Sequence, residues 1–313
     1  MKKILAMISC LFLCLTTNVF SDSIGISIEN DFIAGTDSFY SHGTRIQWLS
    51  ETNELWRKAL DYAPIFDNRE KYIGFNLSQY IYTPSTKMIK DWQPEDRPYC
   101  GWLYGGLMGF AQNNKHLDFF EVDVGVIGEY SYARETQTFV HKVIGSHEPM
   151  GWDNQIENQF GADVIYQHKY LQNFKVGYFD LQLIPHGGGC VGNVHDYVDA
   201  GALLRFGHNI PNDFGVIRME PASRLFKSFD KIGYYVFVDT EAKYVARNLT
   251  IEGKTKWGKN DIELEPIVGE ISFGAAIRIK QFDIFYAYNI RSKEFDKQEF
   301  IEKLGSMGIS WMF

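Results

Sequence analysis

The chain has 313 residues, 45% hydrophobic and 16% aromatic, with a formal charge of −8. That length suffices for one large domain or a sizeable core, and the acidity argues against a grip on nucleic-acid phosphate. After the N-terminal apolar stretch the longest charge-free run, Pro98 to Asn114, is broken by Pro, Gly, Gln and Asn, so no later helix is expected to span a bilayer.

In chain order, the first element is a bacterial secretory leader over residues 1–21. Lys2 and Lys3 form its basic region, Ile4 to Leu15 its apolar core, and Val19-Phe20-Ser21 its cleavage site. A single anchoring helix fits less well, because the apolar core is short and Thr16, Thr17 and Asn18 follow it. Cleavage leaves one domain, 22–313, with Cys100 and Cys190 as its only cysteines; a disulfide and two separate buried thiols are equally open.

The exported part reads as many short strands. Ile24 to Glu29 alternates apolar and polar residues and delivers Asn30-Asp31 at its end; a second strand starts near Tyr40-Ser41-His42-Gly43 and runs to Ser50. A third covers Tyr72 to Tyr82, a fourth begins near Asp96 to Trp102, and a fifth covers Phe119 to Gly128. Glu135 to Ile144 lacks Gly and Pro and is predicted to form a short helix, before Gly151-Trp152-Asp153-Asn154-Gln155 opens the sixth strand. Alternation resumes at Val236 to Tyr244, Ile271 to Ala275, Ile284 to Ile290 and Met307 to Phe313.

A soluble β-sandwich and a transmembrane β-barrel both fit this alternation. Export, aromatics near strand ends (Tyr178, Tyr235, Tyr286, Trp311) and the terminal Phe313 favour a single antiparallel barrel of about 12 strands. Closure also leaves no strand edge. Counted from a periplasmic N-terminus, the unusual polar motifs of the first half all fall at the extracellular rim, with the short helix in one of its loops.

Each polar candidate has two readings. Asn30-Asp31 is an Asx turn ending a strand or a pair of oxygen donors for a hard cation such as Ca²⁺. Ser41 caps the returning strand or positions a substrate or metal. Lys87, Lys90 and Arg97 are snorkelling rim charges or the cations that receive a phosphorylated lipid. His141 is a surface residue of the helix or a general base that takes a proton from water. Gly187-Gly188-Gly189 lacks the Lys-Ser/Thr of a phosphate loop, and no HExxH, CxxC pair or GxSxG occurs.

These residues form an ordered set: Glu29-Asn30-Asp31, Thr36-Asp37 with Tyr40-Ser41-x-Gly43, Gln79-x-x-Tyr82-Thr83-Pro84, Asp96-Arg97-Pro98-Tyr99-x-Gly101-Trp102, and Val124 to Gly128. Gln137-x-x-x-His141, Gly151 to Gln155 with Glu157-Asn158, Val191-Gly192-Asn193, and Glu294-Phe295 with Gln298 continue it. Across nearly the whole exported chain this set resembles the outer-membrane lipid A 3-O-deacylases of the LpxR type. The resemblance implies a twelve-stranded outer-membrane barrel that removes the 3′-acyloxyacyl chain of lipid A in a Ca²⁺-dependent hydrolysis; the barrel is expected to act as a monomer. It implies His141 as the base, Asn30 and Asp31 at the metal and substrate site, Ser41 with Asn30 as further catalytic residues, and a loop lysine for which Lys87 and Lys90 are both candidates; Arg97 and Gln137 are further substrate-binding candidates. Ser41 stands where the family has Thr, and Gly128-Glu129 replaces a more usual Gly-Pro. A barrel phospholipase and a non-enzymatic porin or adhesin are the rival readings.

Overall fold

The alternating segments become strands whose two faces meet different media. The computed structural model describes residues 22–31, 40–51, 69–215 and 231–313, without the side chains of residues 40, 41, 51 and 144. The predicted leader and Thr36-Asp37 lie outside the described residues.

The strands are β1 (Ser23–Asn30), β2 (Tyr40–Glu51), β3 (Glu70–Tyr82), β4 (Cys100–Gln112), β5 (His116–Ile127), β6 (Gln159–Tyr170), β7 (Gln172–Val176), β8 (Phe179–Gly192), β9 (His195–His208), β10 (Gly233–Asn248), β11 (Ile267–Ile279), β12 (Phe282–Arg291) and β13 (Glu302–Met312). Helix α1 (Ala133–Ile144) lies between β5 and β6, and a single turn, α2 (Leu249–Glu252), follows β10. All pairings are antiparallel between chain neighbours, β1 pairs with β13, and β6 pairs with β8. β6 and β7 are two halves of one run interrupted at Leu171: β6 faces β8 from Asp163↔Gly192 to Lys169↔His186, and β7 continues from Gln172↔Leu183. The ring is therefore a closed twelve-stranded barrel, as expected from the sequence.

Apolar side chains point outward and polar ones inward. On β10, Tyr234, Val236 and Val238 are exposed while Tyr235, Phe237 and Asp239 are buried. Ile26, Ile46, Phe75, Leu77, Ile271, Phe273, Ile284 and Ile309 continue the apolar exterior, which suits hydrocarbon rather than water. Several inward charges are paired, which offsets the cost of burying them. Arg45 lies 2.9 Å from Glu121, Arg278 2.8 Å from Asp283 and 2.9 Å from Asp213, and Arg291 3.0 Å from Glu302.

The end nearest the chain termini is filled by an apolar cluster that includes Leu49, Phe110, Phe119, Leu203, Phe214, Phe237 and Phe285. The opposite rim carries the segments 83–99, 128–158, 249–266 and 292–301, together with Asn30-Asp31. The parity expected for the polar motifs therefore holds: they share one rim. Cys100 and Cys190 are both free and buried, so the disulfide alternative does not apply. No helix among the described residues is long and apolar enough to cross a membrane.

Candidate functional site at one rim

Helix α1 carries the rim chemistry on one face. Ala133, Gln137 and His141, spaced four apart, are buried, while Phe139 and Val143 are 67% and 69% exposed. The helix ends at Gly145, whose φ of 73° is the left-handed conformation open to a residue without Cβ, and whose N–H caps the His141 carbonyl. The chain thereby turns back, and the His147 carbonyl lies 2.5 Å from His141 Nδ1. A carbonyl only accepts, so Nδ1 carries the proton. In the neutral form of such a ring Nε2 is the nitrogen that carries no proton.

Asp31 and Lys87 meet at the same rim. Lys87 Nζ lies 3.2 Å from Asp31 Oδ2, and the two side chains are 7% and 2% exposed. The β3–β4 segment that carries Lys87 is held by its backbone. The Lys87 carbonyl accepts from Tyr99 OH at 3.0 Å and from Met150 N at 2.9 Å. Burial pushes the Tyr99 phenol up to about 12, so it stays a donor.

Tyr99 packs on Trp152 with ring centroids 4.9 Å apart, and Trp152 Nε1 donates to Gln137 Oε1 at 2.8 Å. Gln137 lies one turn before His141. A continuous chain of contacts thus joins Asp31, Lys87, Tyr99, Trp152 and Gln137 to the helix that bears His141.

The remaining candidates divide. The Lys90 side chain is exposed, and its carbonyl accepts from Asn154 Nδ2 at 2.8 Å. Arg97 is fully buried, 3.2 Å from Glu294, 3.3 Å from Thr250 Oγ1 and 4.6 Å above the Tyr82 ring. Burial opposes its charge, but the Glu294 and Glu302 carboxylates outweigh that and raise its pKa. It joins β3, β4 and the 292–301 loop rather than the Lys87 side of the site. Asn30 ends β1 beside Asp31. Ser41 is the extra residue of a β-bulge between Tyr40 and His42, and its side chain lies outside the described residues.

Other motif residues fasten the rim. Asp96 accepts from Ser85 N, Ser85 Oγ and Arg97 N. Asn154 accepts from Trp257 Nε1, and Asn260 accepts from Trp92 Nε1, so the 83–99, 128–158 and 249–266 loops interlock.

Two features escaped sequence reasoning. The His147 contact to His141 is a backbone carbonyl, which no residue type announces. A second cluster, His186, Asp199 and Glu241, places one nitrogen and two carboxylate oxygens within 4.8 Å of one another inside the lumen. Its members come from β8, β9 and β10, and only strand register brings them together.

An apolar exterior, a paired polar lumen and interlocked loops at one rim define an integral outer-membrane β-barrel. Residues 5–313 match the family described as outer membrane protein LpxR, and the chain belongs to that family. The solved structure of LpxR from Salmonella typhimurium matches with a TM-score of 0.77 at 21% identity, covering 93% of this chain and 100% of that one. The β-domain of the Bordetella autotransporter BrkA covers 94% of this chain and 99% of its own at 8% identity, with a TM-score of 0.48. The translocator domain of NalP from Neisseria meningitidis covers 100% and 94% at 9% identity, with a TM-score of 0.44. No curated protein sequence matches the chain.

Proposed function

We propose that this protein is a lipid A 3-O-deacylase, exported with its leader removed and acting as a monomer in the outer membrane. The observation that carries the reading is His141, its Nδ1 held by the His147 carbonyl, at the rim of an LpxR-family barrel. Water attacks the ester carbonyl of the 3′-acyloxyacyl chain while His141 Nε2 takes its proton. The tetrahedral intermediate then collapses, the C–O bond to the sugar breaks, and His141 returns the proton to the leaving sugar oxygen. The products are a carboxylic acid and a free hydroxyl.

Lys87, whose backbone Tyr99 and Met150 hold, is the cation that would meet an anionic group of the substrate, shared with its Asp31 partner. Lys90 stands exposed beside it as a looser contact, Gln137 positions the base helix, and Arg97 braces the loops. Met88, Ile89, Phe139, Val143 and Met150 are exposed around the same loops and suit acyl chains.

Asn30 and Asp31 offer only oxygen donors, one of them a buried carboxylate, which is the donor set of a hard cation. They would hold Ca²⁺, with Ser41 alongside. An ion bound there would supply positive charge to the carbonyl oxygen under attack.

The test is mass spectrometry of lipid A incubated with purified barrel. Wild type should release one acyloxyacyl group and leave glycerophospholipid esters intact. Chelation should stop turnover and Ca²⁺ should restore it. His141→Ala should lose on the order of 10²–10⁴-fold in rate while the barrel stays folded; full activity in that variant would overturn the assignment.

A further inference from the structure

We propose that the barrel lumen holds a transition-metal ion of the Zn²⁺ class, bound by His186, Asp199 and Glu241, at a site separate from the rim. The three ligand atoms lie within 4.8 Å of one another. Ligands about 2.0–2.2 Å from a shared ion sit no more than about 4.4 Å apart, so a shift of a few tenths of an ångström completes the set.

The His186 side chain is wholly buried, with Nε2 3.1 Å from Asp239 Oδ1. Its Nδ1 has no hydrogen-bond partner among the described residues. A carboxylate on one ring nitrogen and an open position on the other is the arrangement of a metal-binding histidine oriented by its outer-shell partner. Glu241 repeats the pattern: Oε1 lies 3.0 Å from Lys243 Nζ, while Oε2 is buried without a hydrogen-bond partner.

The backbone makes room for the ring. Gly201 sits opposite His186 on β9, and a Cβ there would come within 2.6 Å of Cε1 and 2.7 Å of Nε2. The imidazole therefore lies flat across β9 and reaches toward β10. Glu241 and Lys243 also line a cavity of about 190 Å³ in the lumen, which provides a path for an ion and its water. One imidazole with two carboxylates favours Zn²⁺, Co²⁺ or Mn²⁺ over Ca²⁺, which takes oxygen ligands. The cation would also balance the charge that Asp199, Asp239 and Glu241 concentrate in the lumen.

The experiment uses the full barrel refolded in detergent, stripped of metal and then saturated with Ca²⁺ so that a hard-cation site at the rim is filled. Titration with Co²⁺ should give one bound equivalent with visible d–d absorption, displaced by Zn²⁺. Asp199→Asn and His186→Gln should each lose at least tenfold in affinity. Asp239→Asn should lose about 10–100-fold by releasing the orientation of His186. Heat-modifiable gel mobility establishes that each variant is folded. No bound equivalent in the wild-type barrel, or unchanged affinity in folded Asp199→Asn, overturns the proposal.

Discussion

At residue scale the buried pair of Lys87 and Asp31 dominates the rim. Each group would be costly alone in that place, because neither reaches bulk water. Lys87→Ala should therefore destabilise the barrel by about 3–5 kcal/mol, chiefly by leaving the Asp31 carboxylate uncompensated. The double variant Lys87→Met with Asp31→Asn should recover much of that stability and still fail to deacylate. Lys90→Ala, at an exposed side chain, should stay within about 0.5 kcal/mol of wild type. Thermal unfolding in detergent, read beside lipid A turnover, separates these outcomes. The sequence presented Lys87 and Lys90 as equals, because both lie in one polar loop. Burial distinguishes them, and burial depends on where Tyr99 and Met150 return to the Lys87 carbonyl.

At the scale of elements, α1 packs on the rim and carries the candidate base. The sequence placed its start at Glu135; the observed helix begins at Ala133, a buried residue packed with Ile81, Tyr99 and Trp152. Its register is set by the Gln137 acceptor beneath Trp152 Nε1. Gln137→Leu removes that acceptor and leaves a buried indole N–H unpaired, at a cost of about 1–3 kcal/mol. The loss should fall locally on α1 rather than on the strands. Hydrogen exchange should quicken in the Ala133–Ile144 amides and not in β3 or β4, and kcat should fall while His141 is still present. Equal protection of α1 in the two proteins would show that the Trp152 contact does not hold the helix.

At the scale of the whole molecule the barrel separates two jobs. Its rim carries interlocked loops and the candidate base; its terminal end is filled by the apolar cluster around Phe110, Phe119, Phe237 and Phe285. A lumen so filled opposes steady ion flow. In planar bilayers the purified barrel should show no stable conductance steps of the kind a porin gives, and large steady steps would favour the channel reading. Charged groups brace the strands from inside, Arg45 on Glu121 in mid-barrel and Arg278 between Asp213 and Asp283 near the terminal end.

The sequence by itself determined the architecture, because side chains alternate at period 2 along a strand and a closed sheet in lipid needs one apolar face and one polar face. From the same alternation follow the approximate strand number and the sharing of one rim by Asn30, Lys87 and His141. Tertiary structure alone decided what those residues touch. His141 acquires its tautomer from a backbone carbonyl, and Arg97 turns into a brace because Glu294 meets it from a distant loop. His186, Asp199 and Glu241 converge because the register of three strands sets them side by side. Such contacts join residues far apart in the chain, and no local pattern of residue types encodes them.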